Sequence, residues 1–175
     1  MTSTTVNFLF STRMPYSIIV DIEAITLKGF DVPLEAAYLQ VDCCTLETIR
    51  GRTYRIKQPD TPAQLALKYG LNPVRVWQTC NVLWRKLGLT VLRPCGWDWS
   101  EVSALLRDMC RGACAVYAKG PRLEKRMLDF HGILDLADFG AEKYPHAEHD
   151  PLDECVFFKK FIPLNSCQEH GTFKS

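Results

Sequence analysis

The chain has 175 residues, of which 47% are hydrophobic and 23% charged, and its formal net charge is +1. This length and composition predict one globular domain with a single buried core, and no apolar run approaches the length of a membrane span. The small net charge excludes an overall attraction to nucleic acid but is compatible with a local basic groove. Residues 1–10 lack the basic start of a secretion signal, so we expect a cytoplasmic or nuclear protein with reduced thiols.

The first third of the sequence predicts three antiparallel strands. Residues 17–23 are rich in β-branched side chains and predict a buried strand. Gly29 and Pro33 predict a turn after it. Residues 35–42 predict a second strand and residues 45–57 a third, more exposed one. The short connections predict an antiparallel meander.

The rest of the sequence predicts helices and two further strands. Apolar spacing over residues 62–88 predicts one or two helices, with a break at Asn72 and Pro73. Ser100 is a predicted N-cap for the next helix. The remaining predicted elements are a strand over 113–118, a helix from Pro121 to about Phe130, a strand over 133–136 and a helix over 152–162.

Asp21 and Glu23 form the most informative motif. Side chains on a strand alternate between its two faces, so these two carboxylates project to the same side. Adjacent like charges at a buried strand are costly, and a divalent cation with a preference for oxygen ligands would offset them. The alternative is that the strand ends in solvent and both acids are hydrated.

The order of motifs resembles the RNase H-like fold of the DnaQ-type (DEDDh) 3′–5′ exonucleases. Asp21-Ile22-Glu23 matches the first motif of that family, and residues 33–42 are similar to its second strand. Residues 117–128 occupy the position of the second motif, with Glu124 where the family has Asp. The third motif is a His followed five residues later by Asp. Here His149 supplies the His, with Glu154 at that spacing and Asp153 beside it.

The resemblance covers residues 16–162 and implies an α/β fold. We expect a mixed five-stranded sheet, three antiparallel strands and then two parallel ones, flanked by helices. Residues 1–15 are then an N-terminal extension and residues 163–175 a C-terminal tail. The chain also resembles a divergent branch found in virus- and transposon-encoded proteins, in which a Lys-Gly…Glu-Lys element replaces the usual second motif.

The resemblance implies a site for two metal ions, Mg²⁺ or Mn²⁺. In such sites one ion lowers the pKa of the attacking water and the other stabilises the leaving oxygen. The ligands implied are Asp21, Glu23, Glu124 and either Glu154 or Asp153. His149 is implied as the general base, because the ordinary pKa of histidine lies close to neutral pH.

Two departures from the family pattern leave a second function open. Glu replaces Asp in two motifs, and Mg²⁺ tolerates little geometric error. The alternative for Glu124 is a solvated helix acid beside Lys125 or Arg126, and the alternative for His149 is a loop residue. We therefore expect either a metal-dependent 3′–5′ exonuclease on single-stranded nucleic acid, RNA rather than DNA from the divergent branch, or an inactive module that binds nucleic acid or protein.

Other residues suggest binding roles. Lys119 and Lys125 are predicted substrate-binding residues, since lysine contacts phosphates without regard to sequence. Trp97 and Trp99 are aromatic candidates for stacking on bases, although packing of their loop onto the core is the favoured interpretation. A structural Zn²⁺ site is a further hypothesis, with His146, Cys155, Cys167 and His170 as its ligands. The alternative for Cys155 is core packing.

Overall fold

Five strands form one mixed sheet in the computed structural model, which describes residues 15–27, 30–59, 61–87, 95–145 and 150–164. The order across the sheet is β3-β2-β1-β4-β5. β1 and β2 are antiparallel, as are β2 and β3, whereas β4 is parallel to both β1 and β5. This arrangement confirms the predicted fold class. The strands are β1 (Tyr16–Leu27), β2 (Phe30–Asp42), β3 (Thr48–Arg55), β4 (Ala115–Ala118) and β5 (Ile133–Asp135).

Five helices flank the sheet in the described ranges. The predicted break at Asn72 and Pro73 is confirmed, because one helix ends before it and the next begins at Pro73. Ser100 is not the N-cap that we predicted, since it lies inside α3 and Asp98 precedes that helix. None of the helices within the described ranges has both the length and the apolarity that a membrane crossing needs. The helices are α1 (Pro62–Tyr69), α2 (Pro73–Leu87), α3 (Trp99–Gly112), α4 (Arg122–Leu128) and α5 (Pro151–Phe158), with short 3₁₀ turns at Leu136–Phe139 and Lys159–Phe161.

Pro33 lies within β2, so its predicted role in a turn is wrong. Glu23 on β1 is opposite Glu35, but the next residue, Ala24, is opposite Pro33. Leu34 is therefore an extra residue, and the strand has a β-bulge there. A bulge tolerates proline because the local ladder is already interrupted. Gln58 Nε2 donates a 2.7 Å hydrogen bond to the Pro33 carbonyl and fixes this part of the strand.

The core has a layer on each face of the sheet. Ile18, Val20 and Ile22 face α3 and α4, where Leu106 and Leu128 pack against them. The alternate residue of β1, Ile19, faces α5 and packs in a second layer that includes its Cys155 and Phe158. Asp21 and Glu23 continue the α5-facing row because side chains alternate along a strand. A third, smaller cluster lies beyond the bulge and joins the end of the β1–β2 hairpin to α1 and α2.

The cysteines do not all carry thiols. Cys43 is fully buried and disulfide-bonded, so the expectation of a thiol at that position is wrong. Cysteine pairing depends on distances in the fold that sequence spacing does not give. Free thiols are present at Cys44, Cys80, Cys95, Cys110, Cys114 and Cys155.

Candidate active site

Asp21 and Glu23 lie at the end of the regular part of β1, on the face that α5 covers. Both residues are half-buried, and one carboxylate oxygen of Asp21, Oδ2, is buried. The bulge follows Glu23 directly. The hydrated strand end that we considered as an alternative does not describe this position, because β1 continues to Leu27 and is paired with β2 throughout.

Glu124 reaches the same place from α4. The chain turns between β4 and α4 at Gly120, whose φ of 65° is a conformation that glycine adopts without strain. α4 then begins, and the Ile22 amide of β1 donates a 3.4 Å hydrogen bond to Glu124 Oε1. Glu124 is only 4% exposed. The alternative of a solvated acid is therefore wrong.

The second carboxylate oxygen of Glu124 differs from the first in its contacts. Oε2 is buried and has no hydrogen-bond partner among the residues that the structure describes. The pKa of Glu124 is raised to about 7, mainly by burial and also by the charges of Glu23 and Glu154, against the opposing effect of two backbone amides. An acid in this position is costly to ionise unless a cation compensates for the lost water.

Glu154 comes to the site on α5. The helix approaches the sheet closely at Gly51 of β3, where a Cβ atom would lie 2.8 Å from Leu152 Cδ1. Asp150 caps its first turn by accepting a 2.9 Å hydrogen bond from the Leu152 amide. Glu154 is half-buried, whereas Asp153 is exposed. Of the two acids that we considered for the third motif, Glu154 is therefore the less exposed, and its charge is one of those that raise the pKa of Glu124.

The buried thiol of Cys155 responds to the charges of several of these acids. The thiol is fully buried beneath α5. Burial raises the pKa of this thiol well above its usual range, and the charges of Asp21, Glu154 and Glu124 act in the same direction. Together with Glu23, these three acids form the group that we call the carboxylate cluster: Asp21, Glu23, Glu124 and Glu154.

The carboxylate cluster suits a divalent cation in its chemistry but is not closed around one. All four members supply the hard oxygen ligands that Mg²⁺ and Mn²⁺ prefer, and a buried oxygen of Glu124 lacks a hydrogen bond. Within the described ranges, however, no three His, Cys, Asp or Glu side chains are grouped so that they could hold an ion. Binding of a cation would therefore require the side chains to move toward one another.

Glu35 is an acid beside the cluster that the sequence analysis did not select. It lies directly opposite Glu23 on β2 and is 8% exposed. Arg55, its partner on β3, places Nε 3.4 Å from Glu35 Oε1. Finding Glu35 from the sequence would have required the register of the β1–β2 hairpin. That register depends on the bulge at Leu34.

An ion pair fixes the helix that carries Glu124. Arg126 of α4 donates two hydrogen bonds to Asp31 of β2, with Nε 3.0 Å from Oδ2 and Nη2 3.2 Å from Oδ1. The Asp31 side chain is 9% exposed. Bidentate geometry of this kind restricts orientation as well as distance. The pair therefore holds α4 against the part of the hairpin beyond the bulge, where Asp31 is opposite Thr26.

The predicted binding lysines are engaged within the protein. Lys119 Nζ donates a 2.6 Å hydrogen bond to the Ala141 carbonyl. The pKa of Asp135 is lower than usual. Burial acts to raise it, but amide hydrogen bonds and the charges of Lys119 and Lys125 outweigh that effect. Both lysines therefore lie close to Asp135, and their role toward phosphate stays a prediction.

Two other predictions fall partly outside the described residues. His149, the predicted base, lies there, as do His146, Cys167 and His170 of the zinc hypothesis. The fourth zinc candidate, Cys155, packs in the core below α5, which is the alternative that we gave for it. The zinc site itself stays a prediction.

Comparison with known proteins identifies the fold. No family model matches the sequence, and no curated protein does. The crystal structure of E. coli exonuclease I in complex with a 5cy-dA13 oligonucleotide is similar with a TM-score of 0.51 and 12% identity, over 83% of this chain and 39% of that one. An exonuclease I from Methylocaldum szegediense gives 0.43 at 15% identity, over 71% of this chain and 28% of that one.

The conclusion about the fold depends on the first of these two structures. This chain spans about two fifths of the length of that exonuclease I chain. At 12% identity the likeness concerns the fold and leaves substrates and partners open. The chain has the α/β fold of a portion of exonuclease I, which is the RNase H-like arrangement that its motifs resemble.

Proposed function

We propose that the chain is a metal-dependent 3′–5′ exonuclease that hydrolyses single-stranded nucleic acid. The observation that carries this proposal is the position of the buried Glu124 of α4, which accepts a hydrogen bond from the amide of Ile22, the residue between Asp21 and Glu23 on β1. The charge of Glu154 on α5 also acts on its pKa. Ordinary folding stability does not explain such a group, because like charges brought together in a partly buried place oppose folding. Acids gathered at that cost indicate a function.

Asp21, Glu23, Glu124 and Glu154 are the residues that would hold the cations. Bound there, Mg²⁺ or Mn²⁺ would supply Lewis acidity to the phosphodiester and to its attacking water. With a pKa of about 7, Glu124 is only partly ionised near neutral pH in the metal-free protein, and a bound cation would favour its charged form. The Ile22 amide donates a hydrogen bond to one of its oxygens. His149 is proposed as the group that accepts the proton of the water.

The fold comparison supports the choice of substrate class. The exonuclease I structure with the higher TM-score was solved with a dA13 oligonucleotide, which is a property of that protein. For the present chain we propose single-stranded nucleic acid in general. The preference for RNA over DNA comes from the resemblance to the divergent branch and is proposed on that basis alone.

The test is hydrolysis of 5′-labelled single strands by the purified protein. With Mn²⁺ or Mg²⁺ the expected product is a ladder that shortens one nucleotide at a time from the 3′ end, and EDTA should stop it. Parallel RNA and DNA strands of one sequence decide the sugar preference. Asp21→Asn should remove activity, whereas Asp108→Asn, at an exposed acid of α3, is the matched control and should not.

One observation favours the inactive module as a second candidate. The described acids are not grouped closely enough for any three to hold an ion, and Glu stands where the family has Asp in two motifs. A protein that retards a labelled strand on a gel but leaves it intact with either metal would establish this second function and exclude the first.

A further inference from the structure

A second pocket lies at the edge of the sheet, on the face opposite the carboxylate cluster. Arg52 and Tyr54 project from β3, and Trp97 precedes α3. The guanidinium carbon of Arg52 is 4.9 Å from the centroid of each aromatic ring. The two rings meet edge to face at 5.5 Å. With Glu101, Val102 and Leu105 of α3 they enclose a cavity of about 370 Å³. We call this cavity the Arg52 pocket.

The walls of the Arg52 pocket are fixed by the fold. Tyr54 is buried in the core layer below α3. The Trp97 backbone is held on both sides, since its amide donates to the Arg55 carbonyl at 2.9 Å and its carbonyl accepts from the Lys57 amide at 2.9 Å. Trp97 is nevertheless 44% exposed. A half-exposed ring on a rigid support is available to stack on a ligand.

The β3 side of the pocket is basic and favours an anionic group, whereas its α3 side carries the acid Glu101. Residues 48–57 contain Arg50, Arg52, Arg55 and Lys57 and no acid. Two of these cations have partners within the protein, because Arg50 donates to Gln40 and Arg55 is paired with Glu35. In the part of the chain that the structure describes, no carboxylate lies within ion-pair distance of Arg52. Its guanidinium hydrogen-bonds the Tyr54 side chain, and its remaining N–H groups can contact a phosphate while it stays over the two rings.

The Arg52 pocket lies at the same end of the sheet as the carboxylate cluster. Glu23, Glu35 and Arg55 are aligned across β1, β2 and β3, and Tyr54 is the residue next to Arg55. Two strand spacings separate β1 from β3, which is about 10 Å. A single strand must cross these two spacings and then pass around the β3 edge to the other face, so the path is longer than about 10 Å and needs a few nucleotides.

We propose that the Arg52 pocket binds an unpaired nucleotide of the strand whose 3′ end occupies the carboxylate cluster. Trp97 stacks on the base, and Arg52 contacts a neighbouring phosphate. Stacking on an aromatic ring together with a cation for the backbone is the way in which proteins bind single strands without sequence preference. This assignment rests on the proposed exonuclease function and extends it to the path of the substrate.

The affinity of a labelled 12-nucleotide single strand, measured by fluorescence anisotropy in EDTA, tests the assignment without hydrolysis. Trp97→Leu keeps an apolar side chain but removes the ring, and it should weaken binding about 5- to 150-fold. Trp97→Phe should retain most of the affinity. Arg52→Gln should weaken binding and lower the slope of log K against log salt by about one. Trp77→Leu, at an exposed tryptophan of α2, is the matched control and should bind like the wild type.

A dinucleotide separates failure of the pocket from failure of the exonuclease function, because it is too short to reach from the cluster to Trp97. Trp97→Leu should raise KM for the 12-mer and leave dinucleotide hydrolysis unchanged. If the wild type hydrolyses the strand, but Trp97→Leu and Arg52→Gln bind the 12-mer as tightly as it does, the pocket assignment alone is overturned. If the wild type hydrolyses nothing, but these variants bind the 12-mer more weakly than it does, the pocket assignment stands and the exonuclease proposal is overturned. If Trp97→Leu does not fold, Arg52→Gln decides.

Discussion

Replacing Glu124 by Gln should stabilise the metal-free protein at alkaline pH. The pKa of Glu124 rises from 4.5 to about 7 in the folded state, mainly through burial. The unfolded chain therefore loses its proton at a lower pH than the folded protein, and the free energy of unfolding falls as the pH rises from about 4.5 to about 7. At about 1.4 kcal/mol for each pKa unit, the total loss is about 3 kcal/mol. Glutamine carries no such cost.

Urea denaturation in EDTA at several pH values between 4.5 and 8 measures this effect. The stability difference between Glu124→Gln and the wild type should grow by about 3 kcal/mol across that range, equivalent to about 6 to 12 °C in Tm. Glu142→Gln, at an exposed glutamate, should show no such change. A difference that stays flat with pH would refute the burial of an uncompensated acid.

Three further outcomes test the metal and the base. Mn²⁺ at 100 times its Kd should stabilise the wild type by about 2.7 kcal/mol in thermal melts. Asp21→Asn should abolish this stabilisation by the metal. The same stabilisation in the variant would exclude Asp21 as a ligand. Activity should be higher with Mn²⁺ than with Mg²⁺. Glu124→Asp should retain or raise the activity, and Glu124→Gln should remove it. Full activity in Glu124→Gln would mean that the second motif lies elsewhere in the chain. His149→Ala should slow hydrolysis about 10²- to 10⁴-fold with unchanged strand affinity, and a normal rate would exclude it as the base.

The elements of the fold were predictable because their signals are local. The β-branched run before Asp21 identified β1, and Asn72 with Pro73 located the break between α1 and α2. The alternation of side chains along a strand placed Asp21 and Glu23 on one face of β1. The bulge at Leu34 was not predictable, because a bulge depends on the partner strand, and Pro33 was therefore assigned to a turn.

Which acids belong to the candidate site depended on contacts between distant parts of the chain. Glu124 was selected through the family resemblance, but its burial follows from the packing of α4 on β1, which the sequence of the helix does not encode. The choice of Glu154 over Asp153 required the orientation of α5. Glu35 was missed because only strand register places it opposite Glu23.

The third hydrophobic cluster has a consequence for the dynamics of the protein. Ile25 and Val32, beyond the bulge, pack with Leu65 and Val76 in a core that is separate from the two main layers. A small separate core opens at a lower free energy than the whole domain, and it opens as one cooperative unit. Amide hydrogens of α1 and α2 should therefore exchange with solvent together, and before those of the central part of β1. The acids on β1 lie at the boundary between this labile unit and the slowly exchanging sheet.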